Sequence, residues 1–214
     1  MPPLTEQSWY EWHAPYDALD TAQTDRLAAV QDLLYDALDS SPPGALRAVS
    51  ACSGQARDLL PVLIHHPRGA DVSARMIESD PLNASFLHGA LGSTRLVDVD
   101  VLEADAGNTA AYEGAAPADL VVLGGVFANI GAGDAERTVE MLPSLCTPGA
   151  QVVWTTYGTD GTEPERILTL LDGADFDTVE IHRSTEHGWT AAAHRYRGTG
   201  RPLPADVQFF DFIA

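Results

Sequence analysis

The sequence predicts an α/β fold: an open, mostly parallel sheet of about seven strands with a C-terminal antiparallel hairpin, preceded by an N-terminal helical extension. Three observations carry this expectation. From Leu46 onward, short apolar runs alternate with helix-like segments at the pace of βα units, which places helices on both faces of a parallel sheet. The last two runs, residues 176–183 and 188–197, alternate like strands and are separated only by S-T-E-H, too few residues for a parallel crossover. Ahead of Leu46, the chain has helical rather than strand periodicity.

Taken in order, residues 21–38 repeat apolar side chains at Leu27, Val30, Leu34 and Leu38, which predicts an amphipathic helix. The run S-S-P-P-G at 40–44 ends it, because two prolines and a glycine cannot continue a helix. Strands are expected at 46–51, 72–78, 97–103, 119–124 and 151–156, with helices at about 55–64, 81–91, 134–142 and 163–171. Asp80 followed by Pro81 predicts a helix start, with Asp as cap and Pro in the first turn. The Ala- and Gly-rich stretch 107–116 allows a short helix. We therefore divide the chain into an extension at 1–45, an α/β domain at 46–197 and a tail at 198–214. The tail carries Q-F-F-D-F-I, apolar enough to form an extra edge, shield a pocket or make a dimer contact.

Composition narrows the function. Apolar residues at 45% and charged residues at 20% suit a soluble globular protein, and no apolar run approaches the roughly 20 residues of a spanning helix. The start, M-P-P-L-T-E-Q, has no basic stretch followed by an apolar run, so a cytoplasmic location is expected. A net charge of −19, with 12 arginines and no lysine, opposes a phosphate backbone, so neither nucleic acid nor membrane is expected as a partner. Cys52 and Cys146 have no metal-ligand spacing, and no metal is expected. His65 and His66 read as the end of a helix, where positive charge is favourable.

The candidate ligand residues fall at strand ends. After the first strand, C-S-G-Q-A at 52–56 keeps small residues where a backbone must approach a ligand, and the following helix offers free N–H groups. The second strand ends at Glu78, about 24 residues beyond Gly54, where a carboxylate can accept from ribose hydroxyls. After the third strand, Asp105 either accepts from an adenine amino group or turns the chain before Gly107.

With these residues in place, the sequence resembles the class I S-adenosylmethionine-dependent methyltransferases, a Rossmann-like family, in element order over 46–197. The family's first turn reads acid-x-G-x-G-x-G; the matching positions here are Ser50, Cys52, Gly54 and Ala56, so only the middle glycine is retained. The chain is also similar to a small bacterial single-domain subset with S-x-C-x-G-Q after the first strand and G-V-F-x-N-I after the fourth, matched by Ser50, Cys52, Gly54, Gln55 and residues 125–130. The resemblance implies S-adenosylmethionine as cofactor and S-adenosylhomocysteine as product. It implies Gly54 beside the methionine portion, Glu78 on the ribose, Asp105 and Ala106 at the adenine, and Gly124, Gly125 and Val126 near the amino group.

The acceptor is expected to be a small molecule. The segment S-W-Y-E-W-H-A-P-Y-D at 8–17 is dense in aromatics and suits either a lid or an anchor for the extension. His13, Tyr16 and Tyr157 are the candidate catalytic residues; Trp12, Phe127, Asn129 and His187 are the candidates for acceptor binding. Because the methyl group arrives activated on a sulfonium, alignment matters more than a dedicated base. Two other readings stay open: a nicotinamide-dependent oxidoreductase, which lacks its G-x-G-x-x-G here, and a non-catalytic protein that binds the same cofactor. A monomer or a homodimer is expected.

Overall fold

The computed structural model describes residues 9–18, 21–158 and 162–213. Residues 1–8, on which the expectation of a cytoplasmic start rests, lie outside them. The chain order is α1 (Ala22–Asp39), β1 (Leu46–Ala51), α2 (Leu59–His65), β2 (Val72–Glu78), α3 (Pro81–Leu91), β3 (Val99–Glu103), β4 (Ala118–Leu123), α4 (Ala132–Leu145), β5 (Cys146–Tyr157), α5 (Thr162–Gly173), β6 (Phe176–Ser184) and β7 (Trp189–Tyr196).

The seven strands form one sheet in the order β3-β2-β1-β4-β5-β7-β6. Neighbours from β3 through β5 pair in parallel. Strand β7 runs antiparallel to both β5 and β6, so it alone is reversed. The strand order turns back between β1 and β4, and at such a switch point the loops diverge and open a crevice at the carboxyl ends of the strands.

Period-two alternation divides the strand side chains between two cores. Val49, Val121, Leu123 and Trp154 face the layer that contains α4, α5 and the C-terminal tail. Ala48, Leu120, Val122 and Val153 face α1, α2 and α3. Thr21 caps α1 in a reciprocal box with Thr24, and the helix buries Ala29, Val30, Leu33, Leu34, Ala37 and Leu38.

The bounds of β1, β2 and α3 agree with the sequence expectation, and Asp80 caps α3 by accepting from the N–H groups of Leu82 and Asn83. Other bounds are corrected. Helix α2 starts at Leu59 rather than at 55, because Ala56 has a left-handed φ of 46° that no α-helix contains. Strand β3 starts at Val99, and Val97 is 88% exposed in the preceding loop. Strand β5 starts five residues early, at Cys146, and a register shift between Ala118 and Leu120 absorbs the irregularity. Only residues 109–112 of the Ala- and Gly-rich stretch coil, as one 3-10 turn.

The tail packs back on the same chain. Phe209 N–H donates to the Gly107 carbonyl, Ile213 N–H donates to the Asn129 carbonyl, and Phe209 and Phe210 are buried. Among the described residues no helix is long and apolar enough to cross a membrane, and no group of three or more His, Cys, Asp or Glu side chains is arranged to hold a metal ion.

Candidate active site

The turn after β1 has φ of 52° at Cys52, 55° at Gly54 and 46° at Ala56. These alternate positions are the ones where the resembling family carries glycine, so the glycine conformation is kept at two residues that have side chains. Ser53 N–H donates to the Ile77 carbonyl at 2.9 Å, and Ala56 N–H to the Ser53 carbonyl at 2.7 Å. Glu78, at the end of β2, braces the turn: Oε2 accepts from Gly54 N–H at 2.6 Å and Oε1 from Asp80 N–H at 2.8 Å. Asp58 then caps α2, its Oδ1 accepting from Leu59 N–H at 2.7 Å.

Across the switch point, Gly125 N–H donates to Thr155 Oγ1 at 2.8 Å, and Arg26 Nη1 of α1 donates to the same oxygen at 2.9 Å. Asn129 Nδ2 donates to the Gly125 carbonyl at 2.8 Å, which closes the loop after β4. Residues Glu11–Asp17 form a 3-10 helix over this crevice. His13 Nδ1–H donates to the Trp9 carbonyl at 2.9 Å, and His13 Nε2 faces Gln55 N–H at 3.4 Å. The imidazole rests on the turn, since a Cβ at Gly54 would lie 2.3 Å from His13 Nε2. Tyr16 Oη hydrogen-bonds Arg26 Nη2. Trp9 also meets Phe212 of the tail, with ring centroids 5.5 Å apart, so both ends of the described chain cover the crevice.

Together these elements bound a cavity at the switch point. Ser50, Cys52, Gly54, Gly124 and Gly125 form its floor; Asp58, Glu78 and Asn83 line its sides, and Trp9, Trp12, His13, Tyr16 and Phe212 its roof. Burial raises the carboxyls of Asp58 and Glu78 above their ordinary range, and backbone N–H groups partly oppose it. Burial lowers the His13 pKa, which keeps the ring neutral with its proton on Nδ1 toward Trp9. Burial also raises the Cys52 thiol, with the Glu78 charge adding to it, so it remains a protonated, poor nucleophile.

Of the sequence candidates, Ser50, Cys52, Gly54, Glu78, Gly124 and Gly125 line this cavity, as do Trp12, His13, Tyr16 and Asn129. The remainder do not. Asp105 Oδ1 accepts from Gly107 N–H at 2.7 Å and Oδ2 from Gln208 Nε2 at 2.8 Å, so its carboxylate turns the chain and holds the tail, away from the cavity lining. Ala106 and Val126 are core residues, and Phe127 packs edge-on against Trp154 at 5.6 Å rather than toward an acceptor. Gln55 is buried beside the turn with its Oε1 accepting from Arg57 Nε. Tyr157 stands behind Arg26, its ring 5.0 Å from the guanidinium carbon. His187 occupies the β6–β7 turn, where its N–H donates to Ser184 Oγ.

Sequence reading missed Arg26, Asp58, Asn83, Thr155 and Phe212. Two of them left a trace: Arg26 is one turn before Val30 on the apolar stripe of α1, and Asp58 directly precedes L-L-P-V-L, an N-cap position once the helix is started at Leu59. Asn83 Oδ1 is buried without a partner in the cavity wall, an acceptor available to a ligand donor.

The strand order, the single reversed strand and the crevice over a left-handed turn define the class I methyltransferase fold. The magnesium protoporphyrin IX methyltransferase of Synechocystis, solved with S-adenosylmethionine, is similar over 90% of this chain and 93% of its own, at 11% identity and a TM-score of 0.68. The 1,6-didemethyltoxoflavin N1-methyltransferase of Burkholderia thailandensis, solved with its acceptor and S-adenosylhomocysteine, is similar over 89% of this chain and 87% of its own, at 15% identity and a TM-score of 0.63. An O-methyltransferase family protein from Burkholderia thailandensis matches at 16% identity and a TM-score of 0.64, and the chain spans 57% of that protein's length. No protein-family model and no curated protein matches the sequence.

Proposed function

We propose that the chain is an S-adenosylmethionine-dependent methyltransferase acting on a small-molecule acceptor, working in the cytoplasm. The observation that carries this reading is the cavity at the switch point, where the three-residue left-handed turn, two buried carboxylates and an orphaned Asn83 oxygen meet. Each matches a part of the cofactor. The turn lets the methionine portion approach the backbone of Gly54, and Glu78, already braced by two N–H groups, has acceptor capacity left for ribose hydroxyls. The partnerless Asn83 oxygen suits a donor on the nucleoside.

The family's acid at the first position of the turn is Ser50 here, and Asp58 supplies a carboxylate to the same cavity. Asp58 Oδ2 would lie 2.9 Å from a Cβ at Gly124, and its other oxygen is committed to the cap of α2. We assign it to the ammonium of the methionine portion.

When bound, the cofactor supplies a methyl carbon already made electrophilic by the sulfonium. The chain then has to exclude water and aim a nucleophile. Trp9, Trp12, Tyr16 and Phe212 form an aromatic roof suited to the first task. His13, neutral and roofing the turn, can take a proton from an acceptor once its ring swings off Gly54. Tyr16 is held by Arg26 and serves better for positioning than as a base, since burial raises its pKa.

Isothermal titration calorimetry with S-adenosylmethionine and S-adenosylhomocysteine tests the reading. Both should bind at one site per chain, and failure of both to bind overturns it.

A further inference from the structure

Arg26 is 5% exposed, on the face of α1 that packs against β5 and β7, and it lines the cavity. Two of the five N–H groups of its guanidinium have partners, Thr155 Oγ1 and Tyr16 Oη, both uncharged. Its Nε is buried with no partner. Among the described residues no carboxylate lies within 4.0 Å of it, although the other cavity residues include Asp58 and Glu78. The Asp58 carboxylate acts on it only from beyond contact distance; a buried guanidinium with no carboxylate in contact is costly to maintain, and folds retain such groups where a ligand supplies the missing charge. Beside it, Tyr157 Oη is also buried without a partner, with its ring stacked below the guanidinium. Arg26 thus presents to the cavity a cation with no carboxylate in contact and an orphaned N–H, under a roof of flat aromatic side chains, with Tyr157 behind it and outside the lining.

We propose that Arg26 forms an anion subsite that binds a carboxylate on a planar, aromatic acceptor whose ring lies against Trp9, Trp12 and Tyr16. Calling the ligand an acceptor rests on the methyl-transfer reading; the anion subsite stands apart from it. In a chain of net charge −19, a buried arginine of this kind separates an acid from its neutral isostere strongly, because the isostere leaves the guanidinium unpaired.

The test compares 1-naphthoate with 1-naphthamide by ligand-observed NMR and calorimetry, with and without saturating S-adenosylhomocysteine, on the wild-type chain, Arg26→Gln and Arg26→Lys. Wild type should prefer the carboxylate by about tenfold or more. Arg26→Gln should lose that preference, and Arg26→Lys, which keeps the charge, should retain a preference for the carboxylate. Should Arg26→Gln fail to fold by circular dichroism, the wild-type preference and the Arg26→Lys response decide. Equal binding of acid and amide by wild type, or binding of neither, overturns the proposal. So does an Arg26→Gln variant that keeps the carboxylate preference, or one that loses S-adenosylhomocysteine, since the guanidinium would then serve the cofactor's own carboxylate. A wild-type chain that ignores S-adenosylhomocysteine but selects naphthoate overturns methyl transfer and supports the anion subsite.

Discussion

At Cys52, Gly54 and Ala56 the backbone demands a left-handed conformation that costs a residue with a Cβ about 1–2 kcal/mol. Ala56→Gly removes that strain and a buried methyl worth ~0.8 kcal/mol, so urea melts should find it neutral or slightly stabilising, unlike an ordinary buried Ala→Gly change. Gly54→Ala has the opposite sign: it adds the strain and drives a methyl into His13, so it should cost about 1–3 kcal/mol and abolish S-adenosylhomocysteine binding in calorimetry. Asp58→Asn keeps the helix cap but removes the charge assigned to the cofactor ammonium, and should weaken S-adenosylhomocysteine roughly tenfold, ~1.4 kcal/mol, with little change in melting temperature. The pH sign follows from its raised pKa. The carboxylate is the binding form, so wild-type affinity should decline as pH falls, beginning above the ordinary carboxylate range near ~4, and the decline should be shallower in Asp58→Asn. An affinity that rises on acidification contradicts the assignment. At this scale the sequence was legible where identity and place along a strand suffice, as at Gly54 and Glu78. At Asp105 it left two roles open; the structure shows the turn before Gly107, with Gln208, far away in the chain, taking the other oxygen.

The elements follow local rules except where the sheet imposes its own. Helix α3 could be placed from Asp80 and Pro81 alone, since a capping carboxylate and a preset φ act within one turn. Strand β5 could not, because its early start comes from Cys146 pairing with Ala118 of β4 across a register shift, a contact no local pattern carries. The β5–β7 pairing also buries His194, whose Nδ1 accepts from Trp154 Nε1–H at 3.2 Å and whose Nε2 meets Thr178 Oγ1 at 3.2 Å. Burial pushes its pKa down to about 4. A depressed folded-state value means that the unfolded chain binds the proton first, so this stability is present above an unfolded pKa of ~6.5 and is lost as pH falls toward 4. Between pH 7 and pH 5 the loss should be about 2 kcal/mol. Urea melts of wild type and His194→Gln should show that the variant, though less stable at pH 7, changes less over this interval; equal slopes would contradict the burial argument.

For the whole molecule, a net charge of −19 produces a field that opposes an anionic acceptor during approach, while the short-range cation at Arg26 holds it once seated. Stopped-flow association of naphthoate should therefore accelerate with added salt, and a rate that falls with salt would contradict this division between field and subsite. Sequence alone determined the fold class, because βα alternation and the short S-T-E-H link restrict the topology to a mostly parallel sheet ending in a hairpin. It also pointed to Gly54 and Glu78 as neighbours at one sheet edge, since strand ends in such a sheet converge there. The tertiary structure decided what stands over that edge. Arg26 from α1, Asp58 from the start of α2, Thr155 from β5 and Phe212 from the tail meet only when the sheet is assembled. Their roles depend on burial and distance across the cavity, quantities that no sequence spacing encodes.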